Sequence, residues 1–205
     1  MAFVSEADKE RIDRAIREAE SRTAGEIVTI IAREADDYLF LPLLWSAGIA
    51  LLIPLPLVLF DLPLSALQIY EIQIAVFLAL GILSRWRPIK MRLVPRMVKR
   101  QRAGRLARAQ FLEQGLHHTE GRSGIMIFVS AAERYVEIMA DQGINDRVPP
   151  GSWDGIVRDF VAKVRADRTG DAFVSAVQQC GALLAEHFPA APRNPDELPN
   201  HLVEL

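Results

Sequence analysis

From Tyr38 to Phe60 the chain reads YLFLPLLWSAGIALLIPLPLVLF, twenty-three residues without a charge. About 20 apolar residues suffice for a helix to cross the hydrocarbon core of a bilayer. Asp61, Pro63 and Ser65 mark a turn, and ALQIYEIQIAVFLALGILS follows from Ala66 to Ser84, nineteen residues with one charge, Glu71. The pair reads as two transmembrane helices joined by a short loop. The competing reading is two buried helices of a soluble core, but the rest of a 205-residue chain is too small to surround them. Pro42, Pro54 and Pro56 are awkward inside a soluble helix and are accommodated as kinks in a membrane helix. They also leave room for a shorter, re-entrant first segment. Trp45, Tyr70 and Trp86 suit interfacial positions. Glu71 is near the loop end, where it can reach the headgroups.

What flanks the hairpin is asymmetric. The run RWRPIKMRLVPRMVKRQRAGRLARA, from Arg85 to Ala109, holds ten of the twenty-four Lys and Arg residues and no Asp or Glu. No Lys or Arg lies between Arg33 and Arg85. Positive charge gathers on the cytoplasmic side of short loops. The expectation is therefore a multi-pass protein of a bacterial inner membrane, with the Asp61 loop outside and both termini in the cytoplasm. Arg85, Arg87, Lys90, Arg92, Arg96, Lys99, Arg100 and Arg102 are the candidate contacts with anionic lipid. Nucleic acid is the weaker reading of this run: only Trp86 interleaves it with an aromatic ring, and no nucleic-acid module surrounds it.

Half the residues are hydrophobic and 24% are charged, which fits an apolar content concentrated in one place. The net charge of −2 makes the basic run a local feature. The single cysteine, Cys180, excludes an internal disulfide framework and fits a reducing compartment. The opening MAFVSEADKERIDRAIREAE mixes charges of both signs and does not read as a secretion signal.

Outside the hairpin the periodicities predict an α/β domain. Ser5 and Asp8 form a capping-box-like start to a helix whose apolar stripe is Ile12, Ala15, Ile16 and Ala19. Thr23-Ala24-Gly25 ends it, and EIVTIIA, Glu26 to Ala32, reads as a strand. A long helix from Arg96 to about Leu116, a buried strand from Ser123 to Ser130 and an alternating strand from Tyr135 to Asp141 follow, the two strands forming a hairpin across AAER. Ser152 is placed to cap a helix and Asp171 to open another. The tail, residues 191–205, reads as a flexible end. Neither soluble piece can build a core alone, so residues 1–37 are expected to fold with residues 86–190, around the hairpin at 38–85.

The order of a helix, RTAGEIVTIIA, a long helix, SGIMIFVSAAERYVEIMADQGI, a helix near Trp153 and CGALLAEHFP resembles the TPM domain. The segment from Gly124 to Ile144 carries most of the likeness: strand, short charged turn, strand, then Gly followed by an aliphatic residue. The resemblance implies a small α/β/α sandwich, here interrupted by a two-helix transmembrane hairpin as in the family's bacterial membrane subgroup. It also implies one of two roles: a divalent-metal or phosphate-ester site made of acidic residues, or an accessory protein for membrane complexes.

Read for chemistry, the chain offers no complete catalytic set. A cysteine phosphatase needs Arg six residues after its Cys, and that position is Glu186. There is no Asp-x-Asp pair and no Gly-rich phosphate loop with a Lys, and His117-His118 are adjacent rather than spaced as in HExxH. The acidic candidates for Ca2+ or another divalent metal are Glu137, Asp141 and Asp146, the first two sharing a strand face by their spacing. The EF-hand pattern fails at Gly143 and Ser152, and the plainer reading is a solvated face balanced by Arg134 and Arg147. The sequence leans toward an accessory or scaffold protein with a membrane-protein partner, with a divalent-metal phosphatase-like hydrolase as the alternative.

Overall fold

The computed structural model describes residues 4–60, 62–119, 121–190 and 197–205. Along the chain the elements are α1 (Glu6–Glu20), β1 (Glu26–Ala32), α2 (Phe40–Leu52), α3 (Pro54–Leu59), α4 (Ala66–Leu83), α5 (Arg87–Leu93), α6 (Arg96–Glu113), a 3-10 turn (Leu116–His118), β2 (Gly124–Ser130), β3 (Tyr135–Ala140), α7 (Gln142–Asn145), α8 (Ser152–Arg165), α9 (Thr169–His187) and β4 (Leu202–Glu204). They form two compact units. One comprises Met1–Ala35 with Arg102–Leu205, the other Asp36–Gln101.

The first unit is an α/β sandwich on a four-stranded sheet ordered β3-β2-β1-β4. β1 runs parallel to β2, from Glu26 opposite Gly124 to Ala32 opposite Ser130, and β2 pairs antiparallel with β3. The alternation of β1 and β2 divides two cores. Ile27, Ile31, Ile125, Ile127 and Val129 pack with α1, α8 and α9, while Val28, Ile30, Ala32, Met126 and Phe128 pack with Ala107 of α6 and Leu116. A parallel strand buried on both faces reads as a continuous apolar run, which is why EIVTIIA and GIMIFVS barely alternate. β3 is half-buried throughout, as befits an edge. Phe160 of α8 and Phe173 of α9 meet edge to face, with ring centroids 5.0 Å apart, at the centre of the larger core.

Local chemistry fixes the entry into the sheet. Ser5 caps α1, its Oγ accepting from the Asp8 amide at 3.1 Å. The helix ends at Glu20, and that buried carboxylate turns back to accept from the Ile27 amide at 2.9 Å. The Thr23 hydroxyl donates to the Phe188 carbonyl at 2.6 Å, tying the α1–β1 turn to the end of α9.

Three expectations are corrected. Ser152 is the first residue of α8 rather than its cap: Gly151, with φ +84°, holds that position, and the Ser152 hydroxyl donates to the Pro149 carbonyl at 2.7 Å. α9 opens at Thr169, two residues before Asp171. The tail is not simply a flexible end, because Leu202–Glu204 adds β4 parallel to β1, with Leu202 buried. The rest of that expectation reaches into residues 191–196, which lie outside the described residues, as does Asp61 in the predicted turn.

The second unit is the apolar hairpin. Ser65 starts α4 with a full capping box: its Oγ accepts from the Gln68 amide at 3.3 Å, and its own amide donates to Gln68 Oε1 at 2.8 Å. α2 breaks at Ile53, where Pro54 removes a donor, and helix resumes as α3. α4 packs against α2 and α3, and α5 returns beside α2.

Candidate functional site

The hairpin is the most distinctive surface. Phe40–Leu59 spans 20 residues and Ala66–Leu83 spans 18, both long and apolar enough to cross a membrane. At about 1.5 Å of rise per residue, 18 residues reach about 27 Å, close to the thickness of a hydrocarbon core. Only 17% of the apolar window of the first span is buried, and none of the second. Core helices of a soluble protein bury this face. Here Leu44, Leu51, Leu59, Phe60, Leu67 and Ile82 all stand open.

The basic run follows at once. Arg85, Arg87, Arg92, Arg96 and Arg100 are exposed, and Lys90, Lys99 and Arg102 are half-buried. Lys99 donates to the Met91 carbonyl, which ties the start of α6 to α5. Seven of these eight cations belong to the hairpin unit. Arg102 belongs to the sandwich, so the run is divided between two bodies rather than laid along one helix face.

The acidic candidates are dispersed. Glu137 is on β3, on the side of the sheet that carries Tyr135 and Met139, and its Oε2 accepts from the Tyr135 hydroxyl at 2.7 Å. β3 stops at Ala140, so the shared strand face read from the spacing does not extend to Asp141. Asp141 is instead the N-cap of α7, with Oδ1 accepting from the Gln142 amide at 2.6 Å and Oδ2 buried without a partner. Asp146 caps the other end of α7 and is exposed. Arg147 lies over the Phe188 ring, 4.6 Å from its centroid. Among the described residues no group of three or more His, Cys, Asp or Glu is gathered as for a metal ion.

Two polar sites were not anticipated. Glu133, in the β2–β3 turn, is buried, accepting from the Ser130 hydroxyl through Oε2 and from the Ala35 amide at 3.1 Å through Oε1. The signal was present in SAAE, a Ser and a Glu three apart, the spacing of a reciprocal cap. The second is an outward cluster joining α8 to α9. Lys163 donates to Asp159 and, at 2.8 Å, to Ser175, while Gln179 Nε2 donates to Asp159 at 3.1 Å. The Lys163 hydrogen bond is the main cause that holds the Asp159 carboxyl below its ordinary pKa, with Ser175 and Gln179 adding to it against the cost of desolvation.

This order of elements can be set beside known proteins. The family model of the TPM domain matches residues 89–183, from within α5 to within α9. The chain carries a TPM domain. α1 and β1, on which the resemblance also drew, precede the matched stretch yet complete the sheet and the larger core of the TPM sandwich. The NMR structure of the BA42 protein from the psychrophilic bacterium Bizionia argentinensis is similar in fold, with a TM-score of 0.63 over 99% of this chain and 96% of that one. At 18% identity that likeness speaks to the fold. No curated protein matches the chain.

Proposed function

We propose that the chain is an integral protein of a bacterial inner membrane. The α2–α4 hairpin crosses the bilayer, and the TPM domain and both termini lie in the cytoplasm, where the domain serves as an accessory or scaffold for a membrane protein or complex. The observation that carries this reading is the exposure of both apolar spans. Soluble monomers rarely leave an apolar patch larger than a few hundred Å2 facing water, and hydrocarbon is the solvent that this surface fits. The charge asymmetry supports the orientation, since every cation near the spans is on the side of Arg33 and Arg85. Three measurements test the proposal. The protein should stay with the membrane through alkaline carbonate, and reporters fused at Pro63 and at Leu205 should report opposite sides. Release by carbonate would remove the membrane reading. In-membrane crosslinking should then capture one near-stoichiometric partner, and capture of the chain alone would remove the scaffold role.

One observation favours a second reading, a divalent-metal-dependent phosphatase-like hydrolase. The buried Asp141 Oδ2 lacks a hydrogen-bond partner, and an orphaned carboxylate oxygen suits a hard cation. Calcium should then raise the Tm of the wild type and not that of Asp141→Asn. A wild type indifferent to calcium removes this reading.

A further inference from the structure

The two edges of the sandwich sheet are finished differently. The Glu26 amide donates to the Ser123 carbonyl, so Glu26 faces β2 and the backbone groups of Ile27, Thr29 and Ile31 face the other way. That side is closed. The Ile27 amide donates to Glu20 Oε1 at 2.9 Å, and β4 pairs with Thr29, Ile30 and Ile31. β3 is the opposite edge, and among the described residues no strand lies beyond it. The Asp141 amide donates to the Gly124 carbonyl at 2.9 Å, and the same antiparallel register sets Met139 opposite Met126 and Glu137 opposite Phe128. Residues 135, 137 and 139 therefore bond to β2, while Val136, Ile138 and Ala140 turn their amides and carbonyls outward. Of these groups the Ala140 carbonyl accepts from Asn145 Nδ2 at 2.8 Å. Sheet edges are commonly blunted by Pro, Lys or a bulge. Tyr135–Ala140 carries none of these, and it pairs with β2 without a break over its 6 residues.

We propose that β3 is a pairing edge for a second copy of this chain, the two β3 strands meeting antiparallel about Ile138 and joining two sheets into one. A row of outward backbone groups specifies a strand as its occupant. The strand's own sequence then fits it to itself. With Ile138 on the two-fold axis, Ile138 faces Ile138, Val136 faces Ala140 and Glu137 faces Met139. Every residue from Val136 to Ala140 is paired, and the outward groups meet outward groups. Moving the axis to residue 137 sets Glu137 against Glu137, and moving it to residue 139 sets Glu137 against Asp141; like charges directly opposite each other destabilise a pair. Moving it to Val136 shortens the ladder. Glu137, the one charge on β3, thus selects the register centred on Ile138. The inference concerns the sandwich alone and stands whether or not the hairpin spans a bilayer.

The test uses the full-length protein in detergent, with its oligomeric state read by native mass spectrometry over a range of concentrations. The wild type should exchange between monomer and dimer. Val136→Pro removes an outward amide and spares the bonds to β2, a change that an edge strand accepts. It deletes one intermolecular hydrogen bond from each copy and should raise the dimer dissociation constant roughly tenfold or more. Circular dichroism checks that the variant is folded. A second measurement reads the register without relying on that variant. Glu137 and Met139 of opposite copies form a pair whose Cα atoms lie about 4.5 Å apart, within reach of a disulfide. Copies carrying Glu137→Cys and Met139→Cys, coexpressed under different tags and mildly oxidised, should join to each other far more than either joins to itself. Cys180 is buried and does not compete. A monomeric wild type would overturn the proposal, and a strand of another protein retained in its place would show that the edge has a different occupant. An undiminished dimer in folded Val136→Pro would place the contact elsewhere. Self-joining of Glu137→Cys as readily as joining to Met139→Cys would refute the register and the argument that selects a second copy.

Discussion

Gly143 packs directly on the backbone of Gly121: a Cβ at position 143 would stand 2.5 Å from the Gly121 carbonyl oxygen and 2.6 Å from that of Arg122. Both neighbours are main chain, so neither can yield as a flexible side chain would. Ile144 beside it is fully buried. The Gly-aliphatic step by which the segment resembles the TPM domain thus has a packing cause. Gly143→Ala should destabilise the domain by about 1–3 kcal/mol, as overpacking does, at roughly 2–4 °C of Tm per kcal/mol. Thermal unfolding of the full chain in detergent, followed by circular dichroism, measures it, and an unchanged Tm would refute the contact.

Glu133 and Ala35 give a second prediction. The Glu133 carboxylate holds the Ala35 amide, and Ala35 is the last residue of the sandwich before the chain enters the hairpin unit. Glu133→Ala leaves that amide and the Ser130 hydroxyl without their acceptor, a loss of about 1–3 kcal/mol for buried groups. Ser130→Ala removes one donor and leaves the acceptor paired to Ala35, so it should cost less. Hydrogen exchange at Ala35 should quicken in Glu133→Ala and stay slow in Ser130→Ala.

What the sequence showed and what it hid divide by range. The β1 bounds, the β2–β3 hairpin, both apolar spans and the Ser5 cap depend on neighbours a few residues away, and each was legible. Leu202–Glu204 was not, because three residues behind a Pro-rich stretch carry no pattern of their own. They form a strand because β1 otherwise has an open edge, and a row of unpaired backbone groups recruits a partner. The acidic candidates illustrate the same limit. Their spacing suggested a shared face, but β3 stops at Ala140, where Asn145 Nδ2 donates to the Ala140 carbonyl at 2.8 Å and the chain turns into α7. Glu133 is buried in part through the Ala35 amide, a partner 98 residues away along the chain that no local spacing announces.

The α8–α9 cluster predicts a pH dependence with a definite sign. Asp159 titrates below its reference value of 3.8 in the folded protein, chiefly through Lys163. A lowered folded-state pKa stabilises the fold fully above the unfolded pKa and ceases to do so as pH falls through the folded value. Asp159→Asn should therefore have a lower Tm than wild type at neutral pH. The gap should narrow as pH drops below about 4. A gap that is constant from neutral to acidic pH would mean that the carboxylate's charge is not what joins the helices.

Cys180 supplies the last test, and it probes the core rather than the surface. The thiol is fully buried on α9 among the residues that face α1 and β1, and desolvation pushes its pKa up to about 12. The thiolate is the nucleophile, so burial suppresses both the reactive form and access to it. Native protein held with iodoacetamide near pH 8 should gain no mass, whereas protein unfolded in guanidinium should gain one adduct. Gly181 sharpens the result: a Cβ there would come 2.6 Å from Ala19 Cβ, so Gly181→Ala should push α1 off α9 and expose the thiol. Native alkylation in that variant, absent in the wild type, would establish that close approach of α1 is what seals Cys180. Equal protection in both would show that the helices part without opening the core.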